Sequence, residues 1–253
     1  MPAARWRTAV LVAAGLVALE LACRFGLIAP TNVVPPSEMA AALWRDLRSG
    51  TILPEIARTL ACVAASAVIA ALGGIALGVA LHRRARLRRA LNPILASYYA
   101  IPIFAFYPGL AAVMGLGVAP IIITSVLGAI IGMMIASIDG LDRFPPVLAK
   151  VAQVHGLGGW TRFRHLQLPA AAPSLLAGIR LVVAYSFIGV IGSEFLMAPS
   201  GLGYEIAYSY NNFNAARMYG LMLFVVLVVA AVNALLALPE RRIAARAAGR
   251  REA

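Results

Sequence analysis

Residues 90–138 carry no charged side chain at all. A helix needs about 20 largely apolar residues to cross the hydrocarbon core of a bilayer, so this one stretch is long enough for two crossings. The segment Gly115-Leu116-Gly117-Val118-Ala119-Pro120 is the natural turn between them. Residues 59–81 form a second uncharged run, and residues 8–28, 173–198 and 217–238 are apolar with few charges. Composition closes off the soluble alternative. Charged residues make up 13% of the chain and hydrophobic ones 62%, whereas soluble domains carry about 25% charged residues. The runs are continuous instead of alternating at about ten-residue length, which favours helices over membrane strands. The expectation is an all-α integral membrane protein with six transmembrane helices at about 8–28, 59–81, 93–115, 119–138, 173–198 and 217–238, in one domain covering residues 1–253.

The net charge of +12 is distributed as a topology signal. Arg5 and Arg7 precede the first span. Arg83, Arg84, Arg86, Arg88 and Arg89 follow the second, and Arg143, Lys150, Arg162 and Arg164 lie between the fourth and fifth. Arg241, Arg242, Arg246, Arg250 and Arg251 follow the sixth. The opposite loops hold only Arg45, Arg48, Arg58 and Arg217. By the positive-inside rule both termini are cytoplasmic, and no nucleic-acid partner is expected. Cys23 and Cys62 lie within or beside apolar runs and imply no disulfide framework. The N-terminal apolar run is long for a secretory signal and is read as the first span.

Polar and proline residues inside the spans mark candidate sites. Pro102 and Pro108 each lack a backbone donor and should kink or break the third helix, beside the aromatic cluster Tyr98, Tyr99, Phe104, Phe106 and Tyr107. Two readings stay open there: core packing between helices, or a broken helix lining a translocation pathway, because freed carbonyls are tolerated only against protein or a water-filled cavity. On the second reading Tyr98, Tyr99, Pro102, Phe104 and Tyr107 are pathway residues. Glu194 in the fifth span either hydrogen-bonds within the bundle or faces that pathway. Arg180 is expected to snorkel to the headgroups. Glu20 and Arg24, four apart, should pair. Between the first two spans, Ser37 is expected to N-cap a short helix over residues 38–47, after Pro35-Pro36.

The loop at 142–169 is the one long polar connection between very apolar regions. Residues 145–155 read as a short helix with Val147, Leu148, Val151, Ala152 and Val154 forming an apolar stripe. Gly156 and Gly158-Gly159 interrupt it, and a second short helix follows through Trp160 to Leu166, before Leu168-Pro169. Gly156 precedes Pro169 by thirteen positions. This spacing resembles the cytoplasmic loop of permease subunits of binding-protein-dependent ABC importers, whose pattern is Glu-Ala-Ala, three residues, Gly, nine residues, Ile-x-Leu-Pro. Lys150-Val151-Ala152 stands at the Glu-Ala-Ala positions, with lysine replacing the glutamate. Leu166, Leu168 and Pro169 match the tail. The likeness extends over nearly the whole chain, through VVPPSEMAAALW, HRRARLRRALNP, IPIFAFYPGL, RFRHLQLPAAAPSLLAGIRL and SEFLMAPSGLGYEI, and is nearest to the nitrate, sulfonate and taurine group.

The resemblance implies a type I importer permease fold with a cytoplasmic coupling helix, in a bacterial inner membrane. It implies as partners two copies of an ATP-binding subunit, an extracytoplasmic solute-binding protein and a second permease copy, most simply as a homodimer, all within membrane lipid. Lys150, Val151, Ala152, Gly156, Leu157, Arg162, Leu168 and Pro169 are the candidate ATPase-coupling residues. The chain has no Gly-x-x-x-x-Gly-Lys-Ser/Thr phosphate loop, no catalytic constellation, and no metal-ligand spacing among His82, His155 and His165. No enzymatic activity and no cofactor of its own are expected, ATP being bound by the partner. The rival reading is a self-contained ion-coupled transporter using Glu194.

Overall fold

The computed structural model describes residues 2–29, 33–98, 100–145, 147, 150, 152 and 154–249 of the chain. It is built of helices: α1 (Pro2–Arg24), α2 (Pro36–Ser49), α3 (Leu53–His82), α4 (Ala85–Tyr98), a 3₁₀ turn at Ile103–Ala105, α5 (Phe106–Met114), α6 (Val118–Asp142), α7 (Gly159–Met197), α8 (Leu202–Asn211) and α9 (Ala215–Gly249). Among the described residues four helices are long and apolar enough to cross a membrane: Leu53–His82, Val118–Asp142, Gly159–Met197 and Ala215–Ala237. Several overrun the apolar cores that define them in the sequence. Charge marks where lipid ends, but a helix ends only where its hydrogen bonds do.

The third apolar region is not one continuous helix. Helix α4 starts at Ala85, inside the arginine-rich loop, and stops at Tyr98. Pro102 adopts an extended ψ of 91° before the 3₁₀ turn, and α5 begins at Phe106. The two prolines have different effects. Pro102 has no N–H to continue the ladder of α4, so the chain breaks there. Pro108 lies in the first turn of α5, where backbone donors have no helical partner anyway.

The described helices fall into two compact units, Met1–Arg58 with Glu194–Val228, and Thr59–Ser193 with Val229–Ala253. In the second unit α6 is the packing centre, and glycine lets its neighbours approach. A Cβ on Gly74 would lie 2.8 Å from the Ile130 carbonyl oxygen, and one on Gly78 would lie 2.8 Å from that of Met134. This is a small-xxx-small seam, the device by which membrane helices gain close van der Waals contact. Across α6, Gly178 of α7 meets Ala136 and Met133, and Gly189 meets Ser125. Ala70, Ala129, Met133 and Val182 fill the core between these contacts.

In the first unit, carboxylates and ion pairs reinforce a small core of Ile52, Leu202, Ile206 and Leu221. Glu20 accepts from Arg24 Nε at 2.6 Å, from the Ser37 hydroxyl at 2.7 Å and from the Ser37 backbone N–H at 3.0 Å. Ser37 is therefore not the N-cap expected from the sequence. Pro35 occupies the cap of α2 with no side-chain bond, Ser37 lies inside the first turn, and Glu20 of α1 supplies the acceptor that a capping side chain would. Arg217 joins three elements, its Nε 2.9 Å from Asp46 of α2 and its Nη2 3.0 Å from Glu205 of α8. Its own backbone N–H donates to Asn214 Oδ1 at 3.2 Å, which N-caps α9.

Candidate functional site

The break in the third apolar region opens a cavity of about 280 Å³, walled by Tyr98, Ile101 to Phe104, Gly128, Tyr185, Ile188 and Gly189. Close approach of α7 makes this wall. A Cβ on Gly192 would overlap the Phe104 ring, and one on Gly189 would lie 2.7 Å from the Ser125 Cα. The Tyr98 hydroxyl donates to the Leu127 carbonyl at 2.7 Å, which holds the ring against the cavity. Among the described residues no acid, lysine or arginine lines it. What it offers is aromatic faces, aliphatic carbons and two tyrosine rings.

Of the residues anticipated for a pathway, Tyr98, Pro102 and Phe104 come together here. Tyr107 does not line the cavity and is fully buried in α5. Tyr99 lies outside the described residues. Glu194 is 1% exposed and is turned to the N-terminus of α8, where its Oε2 accepts from the Gly203 N–H at 3.0 Å. Glu55 Oε2 accepts from the neighbouring Gly201 N–H at 2.5 Å. Two carboxylates at the positive end of one helix satisfy donors that would otherwise be orphaned. Tyr185, Ile188 and Gly189 escaped the sequence reading because nothing distinguishes them within a uniformly apolar run. Their one signal is spacing, since positions 185, 188 and 189 share a helix face.

The second place of interest is the polar loop. The described positions 147, 150, 152 and 154 are helical, and Val151 and Leu148 lie outside the described residues. The turn that ends this helix has a definite geometry. Gly156 adopts φ +62°, and the Leu157 N–H donates to the Ala152 carbonyl at 2.9 Å. That six-to-one bond around a left-handed residue is the Schellman stop, and glycine takes the position without a Cβ penalty. The apolar stripe expected on this helix is divided. Ala152 is fully buried in this chain, so it offers no outward surface, while Val147 and Val154 are 69% and 85% exposed. Lys150 shares their face at helical spacing and is exposed.

Beyond the glycine the structure corrects the expected second short helix. Gly159 opens a helix that does not stop at Leu168-Pro169 but continues to Met197. The chain accommodates Pro169 through a wide π turn over Phe163–Gln167, with the Leu168 N–H bonded five residues back to the Phe163 carbonyl. A proline inside a helix removes one bond and crowds the carbonyl four residues earlier, and a π bulge relieves that crowding without ending the helix. Leu168 and Pro169 are partly to fully exposed on it, and the Arg162 guanidinium stacks 5.7 Å over the Phe144 ring.

The described structure is thus an all-helical membrane fold, with a broken helix beside an apolar cavity and a glycine-stopped helix two residues before a long apolar helix. The family model for the inner membrane component of binding-protein-dependent transport systems matches residues 70–248, and the chain belongs to that family. It is the transmembrane permease subunit of an ABC importer, a multi-pass membrane protein and not a self-contained carrier. It is similar to the riboflavin transport system permease protein of Chloroflexus aurantiacus, 26% identical over 221 residues that cover 84% of this chain and 80% of the relative. The nitrate import permease protein of Leptolyngbya laminosa is 28% identical, covering 75% and 68%. The taurine transport system permease protein of Escherichia coli is 24% identical, covering 71% and 67%. Its fold is that of the inward-facing MetNI methionine ABC transporter, with a TM-score of 0.67 at 20% identity over 76% of this chain and 95% of that one.

Proposed function

We propose that the helix ending at Gly156 is the coupling element of this permease. It docks on a separate ATP-binding subunit through Val147, Lys150 and Val154, with Gly156 and Leu157 at the turn. The observation that carries this reading is the Schellman stop followed by unbroken helix from Gly159 to Met197. A rigid stop joined to a membrane helix transmits a displacement at its docked end into the bilayer, whereas loose chain would absorb it. ATP binding and hydrolysis belong to the partner, present as two copies, and a second copy of this permease completes the pathway. An extracytoplasmic binding protein delivers the solute, and both termini lie in the cytoplasm of a bacterial cell. Lysine at position 150 replaces an ion pair of one sign with a contact that favours an acidic groove on the ATPase.

The solute is small and partly apolar. Among the described residues that wall the cavity, Tyr98, Pro102, Phe104 and Tyr185 included, there is no cation to hold a bare anion. That favours a flat organic solute, as the name of the riboflavin relative would suggest, over an inorganic ion. The test is reconstitution of this permease with its ATP-binding subunit. Gly156→Val forces a β-branched residue into the left-handed region. ATPase activity should then lose at least tenfold of its stimulation by loaded binding protein, while the permease remains folded by size-exclusion chromatography. Full stimulation in that variant would sink the coupling assignment.

A further inference from the structure

A second cavity, about 530 Å³, lies where α3 and α6 end and α7 begins. Its size is within the range of small-molecule sites, about 300–1,000 Å³. Arg83, Arg162 and His82 line it together with Trp160 and Phe163. The nearby acid is already engaged: Asp142 is 3.0 Å from His82 Nδ1 and 2.6 Å from Arg88 Nη1. Among the described residues Arg83 and Arg162 have no carboxylate partner, and each instead rests on a ring, Arg83 5.8 Å over Phe163 and Arg162 5.7 Å over Phe144. Arg162 Nε is buried without a hydrogen-bond acceptor. A buried donor left unmade is costly, so the site is built for something that carries an acceptor.

Two further features say what. Helix α7 begins at this cavity after Gly158, with no side-chain cap on its first turn. Its free N–H groups and dipole therefore add a third source of positive potential. The cavity also adjoins the ends of α3 and α6, just past their uncharged runs at 59–81 and 90–138, and the 68% exposed Trp160 beside it is a residue type enriched at membrane interfaces. Guanidinium groups match phosphate through paired hydrogen bonds. We infer that this cavity binds a phosphate-bearing anion, the headgroup of an anionic phospholipid being its occupant. Arg83 and Arg162 grip the phosphate while Trp160 and Phe163 flank the glycerol and upper acyl carbons. Occupancy would place a lipid beside the first turn of α7, and so adjacent to the lever proposed above. The binding itself does not depend on that proposal.

The experiment uses the permease alone in neutral-detergent micelles, with Trp6→Phe and Trp44→Phe leaving Trp160 as the sole indole. Phosphatidylglycerol, phosphatidylcholine and inorganic phosphate are titrated separately while Trp160 emission is followed. Saturable change with phosphatidylglycerol, absent with phosphatidylcholine and weakened about fivefold or more by Arg83→Gln and by Arg162→Gln, establishes the site. The same response to millimolar inorganic phosphate, with the same arginine dependence, keeps the phosphate chemistry and assigns a soluble source instead. Equal response to phosphatidylcholine, no response to either anion, or binding unchanged in both arginine variants overturns the inference. Loss of ATPase co-purification in Arg83→Gln with lipid binding intact would also overturn it, because the arginine would then serve the protein partner. All variants are compared at equal folded fraction by size-exclusion chromatography.

Discussion

The two compact units of this permease solve the same packing problem with a different balance of devices. Around α6, helices meet by subtraction: Gly74, Gly78, Gly178 and Gly189 remove side chains so that backbones and small residues touch. In the unit built from α1, α2, α8 and parts of α3 and α9, polar attachment dominates, with one glycine contact where Gly220 lets α9 approach the α2 backbone at Met39 and Leu43. Glu20 holds the start of α2, Glu55 and Glu194 hold the start of α8, and Arg217 links Asp46 to Glu205. The contrast follows from element length. Short helices of 10 and 14 residues, such as α8 and α2, are marginal alone and have exposed ends close to every residue. Their termini need partners. Helices of 25 and 30 residues, such as α6 and α3, satisfy their own backbones and can be held by shape.

The comparison breaks first at the glycine seam. Gly74→Leu adds a side chain where even a Cβ would press on the Ile130 carbonyl, and backbone cannot move aside cheaply. The expected cost is ~3 kcal/mol or more, read as loss of monodisperse protein on extraction. A well-folded Gly74→Leu variant would show that the seam is not a close contact. The next largest effect tests the polar unit by a steric route. Gly201 has φ +111°, and a Cβ there would overlap the Glu194 carboxylate. Gly201→Ala should cost roughly 2–3 kcal/mol, seen as a lower midpoint of thermal aggregation in detergent.

Arg217→Met sharpens the same contrast by chemistry alone, leaving Asp46 and Glu205 facing each other without their cation. Because the groups are only partly buried, the expected loss is about 1–2 kcal/mol. Adding Asp46→Asn should recover part of it in a double-mutant cycle; complete additivity would mean the ion pair contributes nothing. Glu20→Gln is expected to give the smallest drop in thermal midpoint of the four. It sits in an exposed network where glutamine still accepts from the Ser37 N–H. A drop larger than that of Arg217→Met would reverse the ranking.

Legibility varied with the kind of signal. The break at Pro102 was readable because proline acts locally, through a missing donor. The stop at Gly156 was readable by spacing, although the sequence could not tell that the following helix runs on through Pro169, since a π bulge is invisible without coordinates. The Glu20–Arg24 pair followed from i,i+4 spacing. Ser37 misled because a serine after two prolines satisfies the local rule for an N-cap, while the acceptor that wins comes from a helix 17 residues earlier. For Glu194 both readings are open in the sequence, and the fold supplies the backbone N–H of Gly203 as one partner.

By itself the order of residues determined that this chain lives in a membrane, where its long apolar runs lie, and where its backbone must bend. Those properties come from hydrophobic transfer and from proline and glycine stereochemistry, which act within a few positions. Tertiary structure alone decided which glycines face a neighbour, which carboxylate meets which helix start, and which arginines have no acid among the described residues at the mouth of α7. Those outcomes depend on distances between residues far apart in the chain, and in a uniformly apolar sequence no local pattern encodes them.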